Sequence, residues 1–114
     1  MRVLAIGDIH GCYAALTTLE QYVPFGPDDR LVTIGDYVDR GPNSRQVVDW
    51  LIARKADRTV IPIRGNHEIT MCAARKSERH YDEWIACGGT AALMSYAASR
   101  RNGSRTCCPG WAPP

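Results

Sequence analysis

Three short apolar runs constrain this chain most, because each of them ends at a glycine-containing cluster of polar residues. The runs are residues 3–6, 31–34 and 59–63, and equivalent points lie about 28 residues apart, which is the spacing of right-handed βαβ units. Continuous apolar runs of this length are typical of strands that are covered on both faces. The sequence therefore predicts a parallel sheet in the order strand, helix, strand, helix, strand.

Apolar positions at helical spacing predict the connecting helices. In the first two they are Leu16, Leu19 and Val23, followed by Val47, Val48, Leu51 and Ile52. After the third strand we expect a helix over 68–76, a short helix over 81–86 carrying Trp84, and a further helix after Gly88 and Gly89. Pro62 lacks a backbone N–H and argues against an unbroken central strand.

The polar clusters occupy equivalent places after the three runs. Asp8 and His10 follow the first run, Asp36 follows the second, and Asn66 and His67 follow the third. Taken singly, each cluster is more often an ordinary surface turn. The carboxyl ends of parallel strands meet at one edge of a sheet, where ligands bind. Three clusters in succession at that edge indicate a site.

Carboxylate, amide and imidazole groups in this arrangement are suited to divalent cations. Asp8, His10, Asp36 and Asn66 are the candidate metal ligands, and Asp36 is placed to bridge two ions. Ions about 3.5–4 Å apart lower the pKa of a shared water toward about 7, which provides hydroxide at neutral pH. The sequence therefore favours attack of a metal-activated hydroxide on a phosphoester.

Four other residues complete the predicted chemistry. His67 follows a ligand and can protonate the departing oxygen as general acid, while Asp39 can orient its ring. Arg40 and Arg64 provide planar, multi-donor groups suited to phosphoryl oxygens. We expect His67 and Asp39 to be catalytic, and the two arginines to bind phosphate.

Composition excludes several other classes of protein. The 114 residues suffice for one domain at most, and a net charge of +2 does not indicate nucleic acid or an anionic membrane as a partner. No apolar run approaches the ~20 residues that span a bilayer. Residues 1–6 are too short for a secretory signal. The five cysteines are odd in number and contain no Cys-x-x-Cys pair, so we expect reduced thiols, no zinc site and a cytoplasmic location.

Three motifs carry a resemblance to a known family. Gly-Asp-Ile-His-Gly at 7–11, Gly-Asp-Tyr-Val-Asp-Arg-Gly at 35–41 and Arg-Gly-Asn-His-Glu at 64–68 resemble the signature motifs of the phosphoprotein phosphatase family of calcineurin-like metallophosphoesterases. The segment after them is similar to bacterial members, and the resemblance covers about residues 2–99. It implies an α/β fold, the N-terminal half of an αββα sandwich with a mainly parallel sheet (βαβαβ) followed by helices.

The resemblance also implies roles for individual residues. Asp8, His10 and Asp36 resemble ligands of a first metal, Asp36 and Asn66 part of a second, His67 and Asp39 the acid and its partner, and Arg40 and Arg64 the phosphate-binding residues. The family's usual ions are manganese, iron or zinc, and manganese is the expected one here. Family members continue with a second half-sheet that supplies two more histidines, which this chain lacks. His80 lies in a charged turn and is not expected to replace them.

These departures give expectations of their own. Residues 1–102 are expected to form the N-terminal part of the phosphoesterase domain, and residues 103–114 a disordered or non-family tail of a truncated or frame-shifted member. An incomplete sandwich would leave an apolar sheet face uncovered and favour self-association.

The expected function is hydrolysis of a phosphomonoester by a serine/threonine protein phosphatase, with a phosphoprotein or a small phosphoester as substrate. A dinucleoside polyphosphate hydrolase is the alternative enzyme, since such relatives share the first and third motifs. A weakly active or non-catalytic fragment that binds metal or phosphate is the alternative outside enzymes.

Overall fold

A computed structural model of the chain describes residues 1–57 and 60–101. The expected tail at 103–114 lies outside this part of the chain, as does Thr59 at the start of the third apolar run. The strands are β1 (Val3–Ile6), β2 (Arg30–Thr33) and β3 (Val60–Pro62). The helices are α1 (Tyr13–Tyr22), α2 (Ser44–Ala56), α3 (Asn66–Ala73), α4 (Glu78–Trp84) and α5 (Thr90–Arg101). A kinked turn, Ile85–Gly89, joins α4 to α5, and Gly88 in this turn has a non-helical φ of 101°. The predicted βαβαβ order followed by helices is confirmed.

The three strands form a parallel sheet in the order β1-β2-β3. Pro62 fits into β3 because this strand lies at one end of the described sheet. Successive backbone N–H groups of a strand point to opposite sides, and the neighbouring Ile63 donates to the Thr33 carbonyl at 2.8 Å. The missing N–H of Pro62 therefore removes no bond to β2.

The main core lies between one face of this sheet and the helices α1 and α2. Its buried residues are Ile9, Leu16, Leu31, Tyr37, Val38, Val47, Trp50, Leu51 and Val60. Three predicted core positions were wrong: Leu19 is 42% exposed, Val23 is 39% exposed and Ile52 is 52% exposed. Trp50 is buried instead, because α2 turns its indole toward α1, where its Nε1–H donates to Glu20 at 3.1 Å.

A second, smaller core joins the helices that follow β3. Trp84 is 2% exposed and packs with the buried Ala74 and Ala92. On α5 the small side chain of Ser95 is buried, and its hydroxyl accepts the N–H of Arg45 at the start of α2. These contacts hold α3, α4 and α5 beside the carboxyl ends of the strands.

The other face of the sheet is apolar and uncovered in the described part of the chain. Val3, Ile34, Ile61 and Ile63 are about half exposed or more, as expected for a half-sandwich. Self-association through this face remains a prediction. Among the described residues, no helix is long and apolar enough to cross a membrane.

Candidate active site

The three polar clusters lie side by side at the carboxyl ends of the strands. The backbone carbonyl of Asp36 accepts the N–H groups of Ile9 at 3.0 Å and His10 at 2.9 Å, and the N–H of Gly11 donates to Tyr37 at 2.8 Å. The side chain of Asp36 accepts the N–H of His67 at 3.1 Å. The loop after β2 therefore connects directly to the loops after β1 and β3.

This edge of the sheet holds an unusual backbone. In the described part of the chain, the non-glycine residues with positive φ are His10 (44°), Asp36 (55°), Asp39 (74°) and Arg40 (68°). Left-handed backbone costs a non-glycine residue about 1 kcal/mol or more and persists only where surrounding contacts hold it. All four are predicted site residues, so the strain is concentrated at the site.

Glu68 is one of the residues that hold this backbone in place. Its Oε1 accepts the N–H of Asp36 at 2.6 Å and of Gly65 at 3.0 Å, while its Oε2 accepts the N–H of Tyr37 at 2.9 Å and of Val38 at 3.4 Å. Sequence reasoning assigned Glu68 no role. A glutamate in the first turn of a helix that follows a glycine was the available signal, because that position reaches back to free N–H groups.

Two candidate metal ligands converge with the candidate acid. One possible ligand atom each from His10, Asp36 and His67 lies within 4.8 Å of the others, although the sequence predicted His67 as a proton donor and not as a ligand. Asp8 stands at the margin: its carboxylate is 3.8 Å from Nε2 of His10, and its side chain is 66% exposed. The structure thus places Asp8 next to His10 rather than within the tight group.

The Asn66 amide lies against the Asp36 carboxylate. With its N–H₂ turned toward Asp36, the amide donates to both carboxylate oxygens at 3.1 Å. Asn66 and Asp36 are therefore neighbours at this edge, and the Asn66 oxygen is the amide donor available to a cation here.

The tautomer of His10 agrees with a ligand role. Its Nδ1 lies 2.9 Å from the carbonyl oxygen of Val38. A carbonyl only accepts, so Nδ1 carries the proton and Nε2 presents its lone pair, as in histidines oriented by a second group for metal binding. The donor set of carboxylate, amide and imidazole therefore fits a divalent cation.

Asp39 lies under the site as a fully buried carboxylate. Its Oδ2 is 2.8 Å from Nδ1 of His67, as the sequence predicted for an acid and its partner. Its Oδ1 accepts the indole N–H of Trp84, also at 2.8 Å, and its backbone N–H donates to Ser44 at 3.1 Å. Sequence reasoning placed Trp84 on a short helix and gave it no role in the site, because nothing local connects it to Asp39.

The two predicted phosphate ligands are at the surface. Arg40 and Arg64 are both exposed residues. The backbone N–H of Arg40 donates to the Gly88 carbonyl at 3.1 Å. Their phosphate-binding role remains a prediction.

A recess of about 430 Å³ lies away from this edge, against α1 and α2. It is lined by Tyr13, Gln46, Asp49, Trp50, Ala53, Arg54 and Asp57. No predicted site residue contributes to it. This recess therefore gives no support to the predicted chemistry.

The same residues place the chain in a family. The family model described as calcineurin-like phosphoesterase matches residues 1–113. The chain belongs to the calcineurin-like phosphoesterase family. The expected membership of the calcineurin-like family is thereby confirmed.

Individual members of this family show graded similarity to the chain. A symmetrical bis(5'-nucleosyl)-tetraphosphatase of Buchnera aphidicola is 35% identical over 103 residues, which are 84% of this chain and 37% of the relative. The same enzyme of Pseudomonas syringae pv. tomato is 40% identical over 80 residues, 68% of this chain and 26% of the relative. A candidate serine/threonine-protein phosphatase of Caenorhabditis elegans is 44% identical over 69 residues, 59% of this chain and 15% of the relative.

A solved structure agrees with the fold. The crystal structure of a candidate diadenosine tetraphosphatase superposes with a TM-score of 0.54 at 28% identity, covering 82% of this chain and 41% of the other. The chain thus spans less than half the length of each of these calcineurin-like phosphoesterases.

Proposed function

We propose that this chain carries the catalytic N-terminal part of a hydrolase of bis(5'-nucleosyl) tetraphosphates. Water would divide the tetraphosphate symmetrically into two nucleoside diphosphates. The similarity to symmetrical tetraphosphatases over up to 84% of the chain supports this substrate. The serine/threonine phosphatase expected from the motifs becomes the second candidate.

One observation carries the proposal: a histidine that is hydrogen-bonded to Asp39 lies beside candidate metal ligands. His67 is buried next to His10 and Asp36, with 4.6 Å between the two imidazole centroids. The site thus combines a proton donor with side chains that can bind cations. Metal-assisted phosphoryl transfer uses both.

In the proposed site Asp8, His10, Asp36 and Asn66 would hold divalent cations, with Mn²⁺ as the ion to test first. Bound cations would withdraw charge from the phosphoryl oxygens and lower the pKa of the attacking water. Asp39 keeps the proton of His67 on Nδ1, so Nε2 is the nitrogen that faces the reaction. Arg40 and Arg64 would approach from the surface to hold the remaining phosphate oxygens.

The leaving group separates the two candidate substrates. A nucleoside diphosphate leaves as a stabilised anion and depends little on a proton donor. A serine or threonine alkoxide is a poor leaving group and depends strongly on one. Loss of the His67 imidazole should therefore damage phosphopeptide hydrolysis more than tetraphosphate hydrolysis.

The second candidate is a phosphoprotein phosphatase. The 44% identity to the Caenorhabditis elegans protein over 69 residues favours it. The buried pair of His67 and Asp39 is also suited to protonating an alkoxide.

The experiment compares hydrolysis of bis(5'-adenosyl) tetraphosphate with that of a phosphothreonine peptide by the purified chain with Mn²⁺. Asp36→Asn is the inactive control. Asp28→Asn is the matched control for charge, because Asp28 is exposed and precedes β2, whereas Asp36 follows that strand at its opposite end. We expect nucleoside diphosphate as the product and loss of turnover only in Asp36→Asn. Faster turnover of the peptide would favour the second candidate.

An absence of turnover with both substrates, together with Mn²⁺ binding that Asp36→Asn abolishes, would refute hydrolysis by this chain. The non-catalytic alternative, a fragment that binds metal or phosphate, would then be the better description.

A further inference from the structure

The segment at 84–89 contacts two adjacent site residues from outside the three motifs. Trp84 donates its indole N–H to Oδ1 of Asp39 at 2.8 Å, and the Gly88 carbonyl accepts the N–H of Arg40 at 3.1 Å. We propose that this segment is a positioning element: Trp84 fixes Asp39 and, through it, the His67 imidazole, while Gly88 fixes the backbone of Arg40. The inference rests on the proposed role of His67 as proton donor.

The hydrogen bond from Trp84 sets the orientation of the Asp39 carboxylate. Asp39 is 0% exposed, so no water competes for its oxygens. With Oδ1 held by the indole, Oδ2 is directed at Nδ1 of His67. Without the indole N–H, Oδ1 of Asp39 would be buried and unpaired. The carboxylate could then rotate, and the His67 imidazole that is hydrogen-bonded to it would lose its fixed orientation.

The backbone around Asp39 makes such support necessary. Asp39 and Arg40 both adopt left-handed conformations, with φ of 74° and 68°. Residues of this kind persist only when their surroundings hold them. Contacts with Ser44, Trp84 and Gly88 reach these two residues from two different helical regions.

The two glycines of the segment allow these contacts because they have no side chain. A Cβ on Gly89 would lie 2.6 Å from two ring atoms of Trp84, so only a glycine lets the indole lie against this turn. Gly88 has φ of 101°, and a Cβ there would lie 2.9 Å from Cγ of Arg40. The kinked turn thus brings two positions without a side chain against Trp84 and Arg40.

The test uses Trp84→Phe, which removes the indole N–H and keeps an aromatic ring. Trp50→Phe is the matched control, since Trp50 is also buried and donates its indole N–H to a carboxylate, that of Glu20, outside the site. Each variant is assayed with an alkyl phosphate, whose leaving group needs a proton, and with 4-nitrophenyl phosphate, whose leaving group does not.

We expect Trp84→Phe to lower kcat about tenfold on the alkyl ester, as for loss of one hydrogen bond to a charged group. KM and the turnover of the nitrophenyl ester should change little, and Trp50→Phe should not distinguish the two esters. An equal loss on both esters would overturn the positioning role.

A second readout does not depend on turnover. In the ¹⁵N-labelled chain, Trp84→Phe should shift the ring nitrogen resonances of His67 and the amide of Arg40, whereas Trp50→Phe should leave them in place. If the wild-type chain hydrolyses no phosphoester, the proposed function fails and this measurement alone decides the positioning role. Unmoved His67 resonances in a folded Trp84→Phe chain would overturn it.

Discussion

Glu68 and Asp36 are joined across 32 positions of sequence: a carboxylate oxygen in the first turn of α3 accepts the N–H of Asp36 at 2.6 Å. The same side chain also accepts three further backbone N–H groups from the loops after β2 and β3. Asp36 has positive φ and is the candidate bridging ligand. One carboxylate therefore holds in place the loop that carries the candidate bridging ligand.

Glu68→Gln should destabilise the chain and weaken metal binding. The amide keeps the size of the side chain, but its N–H₂ faces backbone donors, so we expect a loss of about 1–3 kcal/mol in the free energy of unfolding. Urea denaturation and calorimetric titration with Mn²⁺ measure the two effects. Glu83→Gln, which breaks only an exposed ion pair with Arg79, should cost less than about 1 kcal/mol. Equal losses in the two variants would contradict the assigned role.

Asp39→Asn should separate folding from catalysis. The amide replaces one of the two carboxylate oxygens by N–H₂. It can therefore accept from the indole N–H of Trp84 or from the Nδ1–H of His67 but not from both, and the proton of His67 is no longer held on Nδ1. We expect kcat on a phosphopeptide or alkyl phosphate to fall by about 10²–10⁴. Circular dichroism should show a folded chain. Retention of full activity would remove Asp39 from the proposed machinery.

Gly41→Ala should disrupt the contact between the first two motifs. A Cβ on Gly41 would collide with the backbone carbonyl of His10, and a backbone group at a packed edge cannot move aside cheaply. The expected loss in the free energy of unfolding is about 3 kcal/mol. Gly26→Ala is the control, because a Cβ there meets nothing within 4 Å. A Gly41→Ala chain as stable as Gly26→Ala would show that the two loops are not packed as described.

The Arg2–Asp29 pair should make stability depend on pH in the acid range. Hydrogen bonds from the Arg2 guanidinium, and then from the Gly26 N–H, hold the pKa of Asp29 well below its usual range. A depressed folded-state pKa contributes stability above the unfolded pKa of about 3.9, and this contribution is lost as the pH falls through the folded value. The difference in Tm between wild type and Asp29→Asn should therefore be full near pH 6 and shrink steadily toward pH 2. A difference that stays constant over this range would refute the linkage.

Divalent metal should stabilise the folded chain through the convergent ligands. A ligand that binds only the native state at 100 times its Kd adds about 2.7 kcal/mol, so Mn²⁺ should raise Tm in a concentration-dependent way. Asp36→Asn should abolish the rise, and Asn66→Ala should reduce it. Mg²⁺, Zn²⁺ and Fe²⁺ in the same assay would rank the ions. A rise that persists undiminished in Asp36→Asn would place the bound ion elsewhere.

The helical and strand order of this chain follows from local pattern. Each apolar run of the βαβ units became a strand within a residue or so of its predicted bounds, because backbone conformation responds to neighbouring residues. The polar clusters were also predictable as a set, since the carboxyl ends of parallel strands must meet. The bonds from Glu68 to the loop after β2 and from Trp84 to Asp39 were not predictable, because these partners lie 30 or more positions apart.

Burial on the helices likewise depends partly on local pattern and partly on tertiary packing. Leu19 and Ile52 satisfy a helical apolar period and are nevertheless exposed, whereas Trp50 is buried because Glu20 accepts its indole N–H. Periodicity defines a face, but the narrow three-stranded sheet decides how much of that face it can cover. Pro62 is tolerated for a similar reason, since β3 lies at the end of the sheet.

By itself, the sequence determined the α/β class, the strand order along the chain and the residue types available for a phosphoester site, because these depend on local period and on chemistry. Only the tertiary structure decided which of those residues meet and what holds them. The bonds from Glu68 to Asp36 and from Trp84 to Asp39 exist because packing brings distant segments within hydrogen-bond distance. No local preference encodes that approach.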